Sequence, residues 1–130
     1  MYTCVQLLLL IRPMYSNPPL YGARLVTEIL KNPALKDEWM ADCKAMAGRI
    51  KTMRVALKTE LESLGSKLSW THITNQIGMF CYSGLTAQQV ERLRVEFHIY
   101  CTEDGRISMA GINQSNVLYI AKAMHTCTST

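Results

Sequence analysis

Arg106 lies within Asp104-Gly105-Arg106-Ile107-Ser108-Met109-Ala110-Gly111, where a glycine-bearing turn delivers a guanidinium to the first position of a short, apolar and β-branched segment. A planar guanidinium on rigid backbone can meet a carboxylate with two parallel N–H···O bonds, which makes it the side chain best shaped to receive one. Taken alone, the same pattern also describes a solvated surface charge after a turn. Other chemistries find less support. Cys4, Cys43, Cys81, Cys101 and Cys127 are odd in number and widely spaced, without a CxxC or Cys/His ligand pattern, and read as small hydrophobes in a reducing compartment. His72, His98 and His125 are equally scattered, so no metal site is expected.

The elements that must position Arg106 can be sketched from periodicity. An apolar run, Leu7-Leu8-Leu9-Leu10-Ile11, is ended by Arg12-Pro13. It is too short to span a bilayer and lacks the features of a signal peptide, so buried structure is expected. Tyr15-Ser16-Asn17-Pro18-Pro19 breaks any helix, because each proline lacks a donor and restricts its predecessor. A short helix follows over Leu20 to Lys31, and Asn32-Pro33 reads as an N-cap with proline at the first helical position. From there Leu35, Trp39, Cys43, Met46, Ile50, Met53, Leu57, Leu61 and Leu64 recur at three- and four-residue steps up to Gly65, a core stripe on a helix of roughly 45 Å. A helix that long is expected to pack along a neighbouring domain or subunit.

Ile77 to Tyr82 has the composition of a buried strand, ended by Ser83-Gly84. Thr86-Ala87-Gln88-Gln89 is a capping box flanked by the Leu85/Val90 staple, opening a helix to about Phe97. His98 to Thr102 and Arg106 to Ala110 are expected to form a hairpin across Glu103-Asp104-Gly105. Asn113 opens a last helix with the stripe Val117, Ile120, Ala121 and Met124. The expected class is α+β, helix-rich with a few short strands.

Composition sets the outer limits. The 130 residues, 48% hydrophobic and 18% charged, suit one globular unit and are short for a complete cofactor enzyme. A net charge of +4 spread along helical polar faces gives little support to a nucleic-acid partner.

Two segments carry a family resemblance. Ile11-Arg12-Pro13-Met14-Tyr15-Ser16-Asn17-Pro18-Pro19 with Gly22-Ala23-Arg24 resembles the stretch bearing a partner-subunit arginine in aspartate aminotransferases. Gln76-Ile77-Gly78-Met79-Phe80-Cys81-Tyr82-Ser83-Gly84-Leu85 and Tyr100 through Gly111 are similar to that family's C-terminal domain, and Met46 to Ile50 and Met53-Arg54 fit between them. The likeness runs in order from about Gln6 to Met124 and leans toward the organellar branch, which implies a mitochondrial or other organellar protein, with the cytoplasm as the other possibility.

The resemblance implies a fold-type I transferase dependent on pyridoxal 5′-phosphate, of which these residues form the last third. Residues 1–19 would be the end of the large domain with an interface segment, and residues 20–130 the small domain. It implies that Arg106 clamps the α-carboxylate of the substrate, and that Arg12 reaches into the neighbouring subunit's site of a homodimer to pair with the distal carboxylate of aspartate or glutamate. Two forks at opposite ends of a diacid would explain selection for dicarboxylic amino acids and 2-oxo acids, since a monocarboxylate leaves one arginine unpaired. Ser16 and Asn17 would flank the shared interface, though turn chemistry before proline explains them as well. Phe80 would approach the pocket, though a core strand aromatic is the simpler account. No cofactor-binding residue is expected here: the Schiff-base lysine motif, the pyridinium Asp and the phosphate cup are absent, and Lys31, Lys36, Lys44, Lys51, Lys58, Lys67 and Lys122 lie on polar faces or in a loop.

Met1 to Val5 departs from the family pattern, which points to an alternative start, a truncated gene product or a splice form. Cys101 stands where relatives more often carry a thioether or aliphatic side chain. A non-catalytic fragment, acting if at all in interaction or dimerisation, is the competing expectation.

Overall fold

The structure is a computed structural model that describes residues 2–16 and 19–129. The chain divides into two compact units, Met1–Cys43 and Lys44–Thr130.

The first unit is helical. Helix α1 spans Tyr2–Tyr15 and α2 spans Tyr21–Lys31. Helix α3, Pro33–Ser63, begins here and continues into the second unit. The breaker that begins at Tyr15 ends the first helix as expected. Pro13 sits inside α1, and the stop comes after Tyr15, where Ser16 takes φ +61° and its N–H donates to the Arg12 carbonyl at 3.0 Å. The cover expected for Leu7 to Ile11 is not supplied by the described residues: Leu7, Leu8, Leu9 and Leu10 are 52–68% exposed and Ile11 is half-buried. Consecutive apolar residues girdle a helix instead of forming a stripe, so covering them takes neighbours on every side. None of the described residues of this unit is buried.

Helix α3 starts as its sequence dictates. Asn32 Oδ1 accepts from the N–H groups of Ala34 and Leu35 at 3.1 and 3.4 Å, satisfying donors that the first turn leaves open. At the far end Gly65 adopts φ +74° and its N–H donates to the Glu62 carbonyl. The apolar stripe is buried only along its C-terminal half. Met53, Leu57 and Leu61 are in the core, whereas Leu35, Trp39 and Met46 are exposed.

The second unit contains the hydrophobic core. The C-terminal half of α3 packs with Trp70 and Ile73 at the short helix α4 (Thr71–Asn75), with helix α5 (Ala87–Phe97) through Val90 and Leu93, and with helix α6 (Val117–Thr128) through Ile120, Ala121 and Met124. Trp70 is buried with its indole N–H donated to Ser66 Oγ at 2.9 Å. Helix α4 was not evident in the sequence, because Thr-His-Ile-Thr-Asn shows neither helical periodicity nor a capping side chain.

Two three-residue strands, β1 (Phe80–Tyr82) and β2 (Arg106–Ser108), pair antiparallel with Phe80 opposite Ser108, Cys81 opposite Ile107 and Tyr82 opposite Arg106. This replaces the expected hairpin. His98 takes the left-handed conformation (φ +52°) and the Ile99 N–H folds back onto the Leu93 carbonyl at 3.0 Å, so residues 98–102 close the end of α5 instead of extending as a strand. Met109 and Ala110, expected as strand, belong to the 3-10 turn Met109–Gly111. The first strand is shorter than expected because Gly78 sits at φ +94°, leaving Ile77 almost fully exposed. The class is nonetheless α+β and helix-rich.

Candidate functional site

The two strands form a ribbon with one wet and one dry face. Cys81 and Ile107 point into the core, and Phe80, Tyr82 and Arg106 are exposed on the opposite face. Phe80 and Arg106 are diagonal neighbours across the pair, close enough for long side chains to meet. The Arg106 guanidinium carbon lies 5.0 Å from the centroid of the Phe80 ring, a cation–π contact that biases the guanidinium toward one rotamer. Among the described residues, no ion pair or side-chain hydrogen bond engages that guanidinium.

The turn before Arg106 is built by side chains. The Thr102 hydroxyl donates to Asp104 Oδ1, and the Arg106 N–H is shared between Thr102 Oγ1 at 3.1 Å and Asp104 Oδ1 at 3.3 Å. The Thr102 hydroxyl first, then the Arg106 N–H, with its guanidinium acting at longer range, hold the Asp104 carboxyl below its usual range. Asp104 therefore remains an acceptor through the neutral range and keeps the turn closed. Gly105 is buried at φ +82°; its carbonyl accepts from Ser83 N at 3.0 Å and Ser83 Oγ at 2.6 Å. A Cβ there would stand 2.9 Å from Ser83 Oγ and 3.0 Å from the Leu85 carbonyl, so only glycine fits without displacement.

The outer edge of β1 is closed by side chains in place of a third strand. Gln76 accepts from Tyr82 N at 2.8 Å and donates to Tyr82 O at 3.0 Å. Arg54, only 3% exposed, donates to the carbonyls of Ile73, Gly78 and Phe80 at 2.8, 3.0 and 2.7 Å. The bond to Phe80 answers a carbonyl that an edge strand would leave open, and the other two tie α4 and the Gly78 turn to the same fork. Burial pushes the neighbouring Cys81 thiol up, an effect the Arg54 charge and hydrogen bond only partly offset. Arg49, one turn and a half earlier on α3, holds the carbonyls of Ile112 and Ala110 at 3.1 Å each. Neither arginine was assigned a role in the sequence. The signal was there for Arg54: a charge at position 54 falls three and four residues from Leu57 and Ile50, inside the apolar stripe.

Of the other residues expected at a site, Arg12 is exposed on α1, in the first unit, and Ser16 is exposed just beyond that helix. Asn17 lies outside the described residues. A cleft of about 650 Å³ is lined mainly by apolar side chains such as Met46, Ile50, Ile77 and Met79, and Arg106 is not among its walls. Of the lysines, all are exposed except Lys58, which is half-buried and pairs with Glu62 at 3.6 Å. Among the described residues no cluster of three or more His, Cys, Asp or Glu could hold a metal ion, and no helix is long and apolar enough to cross a membrane.

The family model for aminotransferase class I and II matches residues 3–124. The chain belongs to that family. This aminotransferase chain is 60% identical over 123 residues to a mitochondrial aspartate aminotransferase of Arabidopsis thaliana and 59% identical to that of Dictyostelium discoideum, covering 95% of itself in each case. Among solved structures it resembles a mitochondrial aspartate aminotransferase from Trypanosoma brucei, with a TM-score of 0.93, 50% identity and 96% of this chain covered. It spans only 29% of the length of the two curated relatives and 33% of the solved chain.

Proposed function

We propose that these residues are the substrate-gripping C-terminal portion of an aspartate aminotransferase, with residues 1–19 from the end of a large domain and residues 20–130 forming the small domain. The observation that carries this reading is Arg106: an exposed guanidinium, fixed by a buried turn and an aromatic ring, in a chain closely similar to aspartate aminotransferases. Arg106 takes the α-carboxylate of the amino acid or 2-oxo acid in a bidentate pair, and Arg12 takes the distal carboxylate in the site of the other subunit of a homodimer. Phe80 lies beside the bound α-carboxylate, and Ser16 and Asn17 shape the interface segment. The mitochondrial names of the relatives support the same compartment here.

Pyridoxal phosphate is the cofactor of this reading, and it supplies the electron sink for moving the amino group. The residues present do not fit its aldehyde end. That end needs a lysine amine desolvated enough to give up its proton, and the lysines here are exposed or, for Lys58, half-buried and tied to Glu62. No step of the cofactor's chemistry is assigned to these residues. Their work is to bind and orient, and the lysine comes from sequence outside them. By itself the 130-residue chain is then a grip without a reaction.

Both halves of the proposal can be tested. In an active enzyme containing these residues, Arg106→Ala lowers kcat/KM roughly 100-fold or more for every amino-acid substrate, the scale expected for removing one partner of a desolvated charge pair. Arg12→Ala harms aspartate and glutamate selectively, and equal losses for aspartate and alanine would sink its assignment. The purified 130-residue chain shows no lysine-dependent imine absorbance with pyridoxal phosphate.

A further inference from the structure

We infer that Arg54 is a positioning residue for the carboxylate grip, holding Phe80 from behind so that its ring holds Arg106 in front. This rests on the reading of Arg106 as the carboxylate receptor. The chain of contacts is short. Arg54 Nη2 donates to the Phe80 carbonyl at 2.7 Å and to the Gly78 carbonyl at 3.0 Å, and Nη1 donates to the Ile73 carbonyl at 2.8 Å. The three acceptors sit on three successive pieces of backbone: α4, the left-handed Gly78 turn and β1. One rigid fork therefore fixes where β1 begins and how Phe80 is rotated about the strand. The Phe80 ring, on the exposed face, lies 5.0 Å from the Arg106 guanidinium carbon.

The burial of Arg54 supports a role beyond packing. A guanidinium 3% exposed and answered by three carbonyl dipoles and the Cys81 thiol is a costly way to fill a core position, since apolar side chains of similar size usually serve as well. What a methionine or leucine could not do is bind three separate carbonyls at once. β1 has three residues and one partner strand, so without that fork its outer edge lacks a hydrogen-bonding partner at Phe80. Phe80 would then be free to rotate, and the side chain of Arg106 would sample several rotamers before meeting an anion. Ordering one long side chain on binding weakens association by about threefold or more.

The test uses the whole 130-residue chain with arginine side chains labelled for NMR and sodium acetate as the probe, titrated against sodium chloride at matched ionic strength. In the unaltered chain the Arg106 Nε–H proton is displaced upfield by the Phe80 ring and responds to acetate. In Arg54→Lys the upfield displacement is lost and the apparent Kd for acetate rises about threefold, while the Ile107 and Leu93 amides keep their shifts. Unchanged Arg106 displacement and acetate affinity in that variant would overturn the inference. If Arg54→Lys does not fold, Phe80→Leu decides: with Arg54 and the backbone intact, it too removes the displacement and weakens acetate binding, and an unchanged affinity refutes positioning by the ring. An Arg106 signal that loses its displacement in Arg54→Lys but never responds to acetate supports the positioning and removes only the carboxylate reading.

Discussion

At the scale of single residues, three side groups set what Arg106 can do, and each can be perturbed separately. Gly105 is the least replaceable. Gly105→Ala puts a methyl group at φ +82° and within 3.0 Å of both Ser83 Oγ and the Leu85 carbonyl. The left-handed strain and the displacement together cost about 2 kcal/mol or more, read as a lowered urea midpoint. Because the shift moves the turn that carries Arg106, anion binding falls with stability. The place of Arg106 at the start of a strand after a glycine turn was legible in the sequence, whereas its reading as a carboxylate receptor came from the family resemblance. Its ring partner was not legible in that role: Phe80 and Arg106 are distant in sequence, and only the register Phe80 opposite Ser108 makes them diagonal neighbours. The role of Arg54 was not legible either, because charge inside an apolar stripe looks like an interruption of the core until its three carbonyl acceptors are known.

At the scale of elements, local signals survived and long-range pairing did not. Thr86 caps α5 as its sequence announces: the hydroxyl accepts from Gln89 N at 3.3 Å, and Gln89 Oε1 accepts from Thr86 N at 2.9 Å. Thr86→Ala lowers stability by about 1 kcal/mol, visible as a lower denaturant midpoint with unchanged slope. Gly65 and Asn32 likewise end and begin α3 where expected. The hairpin expectation failed because segments 98–102 and 106–110 both look like strands locally. The competing arrangement, β1 with β2, depends on the core that α5 and α6 build between and around them. The helical stripe of α3 was correctly phased, yet periodicity says which face is apolar and nothing about where along the helix a covering neighbour stops.

At the scale of the molecule, the two units differ in kind. Lys44–Thr130 owns the core, whereas in Met1–Cys43 no described residue is buried and four consecutive leucines face outward. Burial raises the thiols of Cys81, Cys101 and Cys127 above their ordinary value of 9.0; beside that leading cause, Asp104 adds to the rise at Cys101, and Arg92 and Glu96 act in opposite directions at Cys127. The sign follows from linkage: the unfolded thiols release their protons first, so this part of the stability is complete below pH 9 and is lost as pH climbs above it. Urea midpoints should fall between pH 8 and about pH 10, and Cys81→Ala should make that fall shallower. The β1–β2 ladder also bears on how the chain reaches its fold. Cys81 and Ile107 are about 26 residues apart with α5 between them, and closing such a loop opposes pairing by about 3 kcal/mol. A helix forms within microseconds from local contacts alone, whereas this ladder waits for closure. The surface on which Phe80 meets Arg106 is therefore a late product of folding, assembled after the helices that support it.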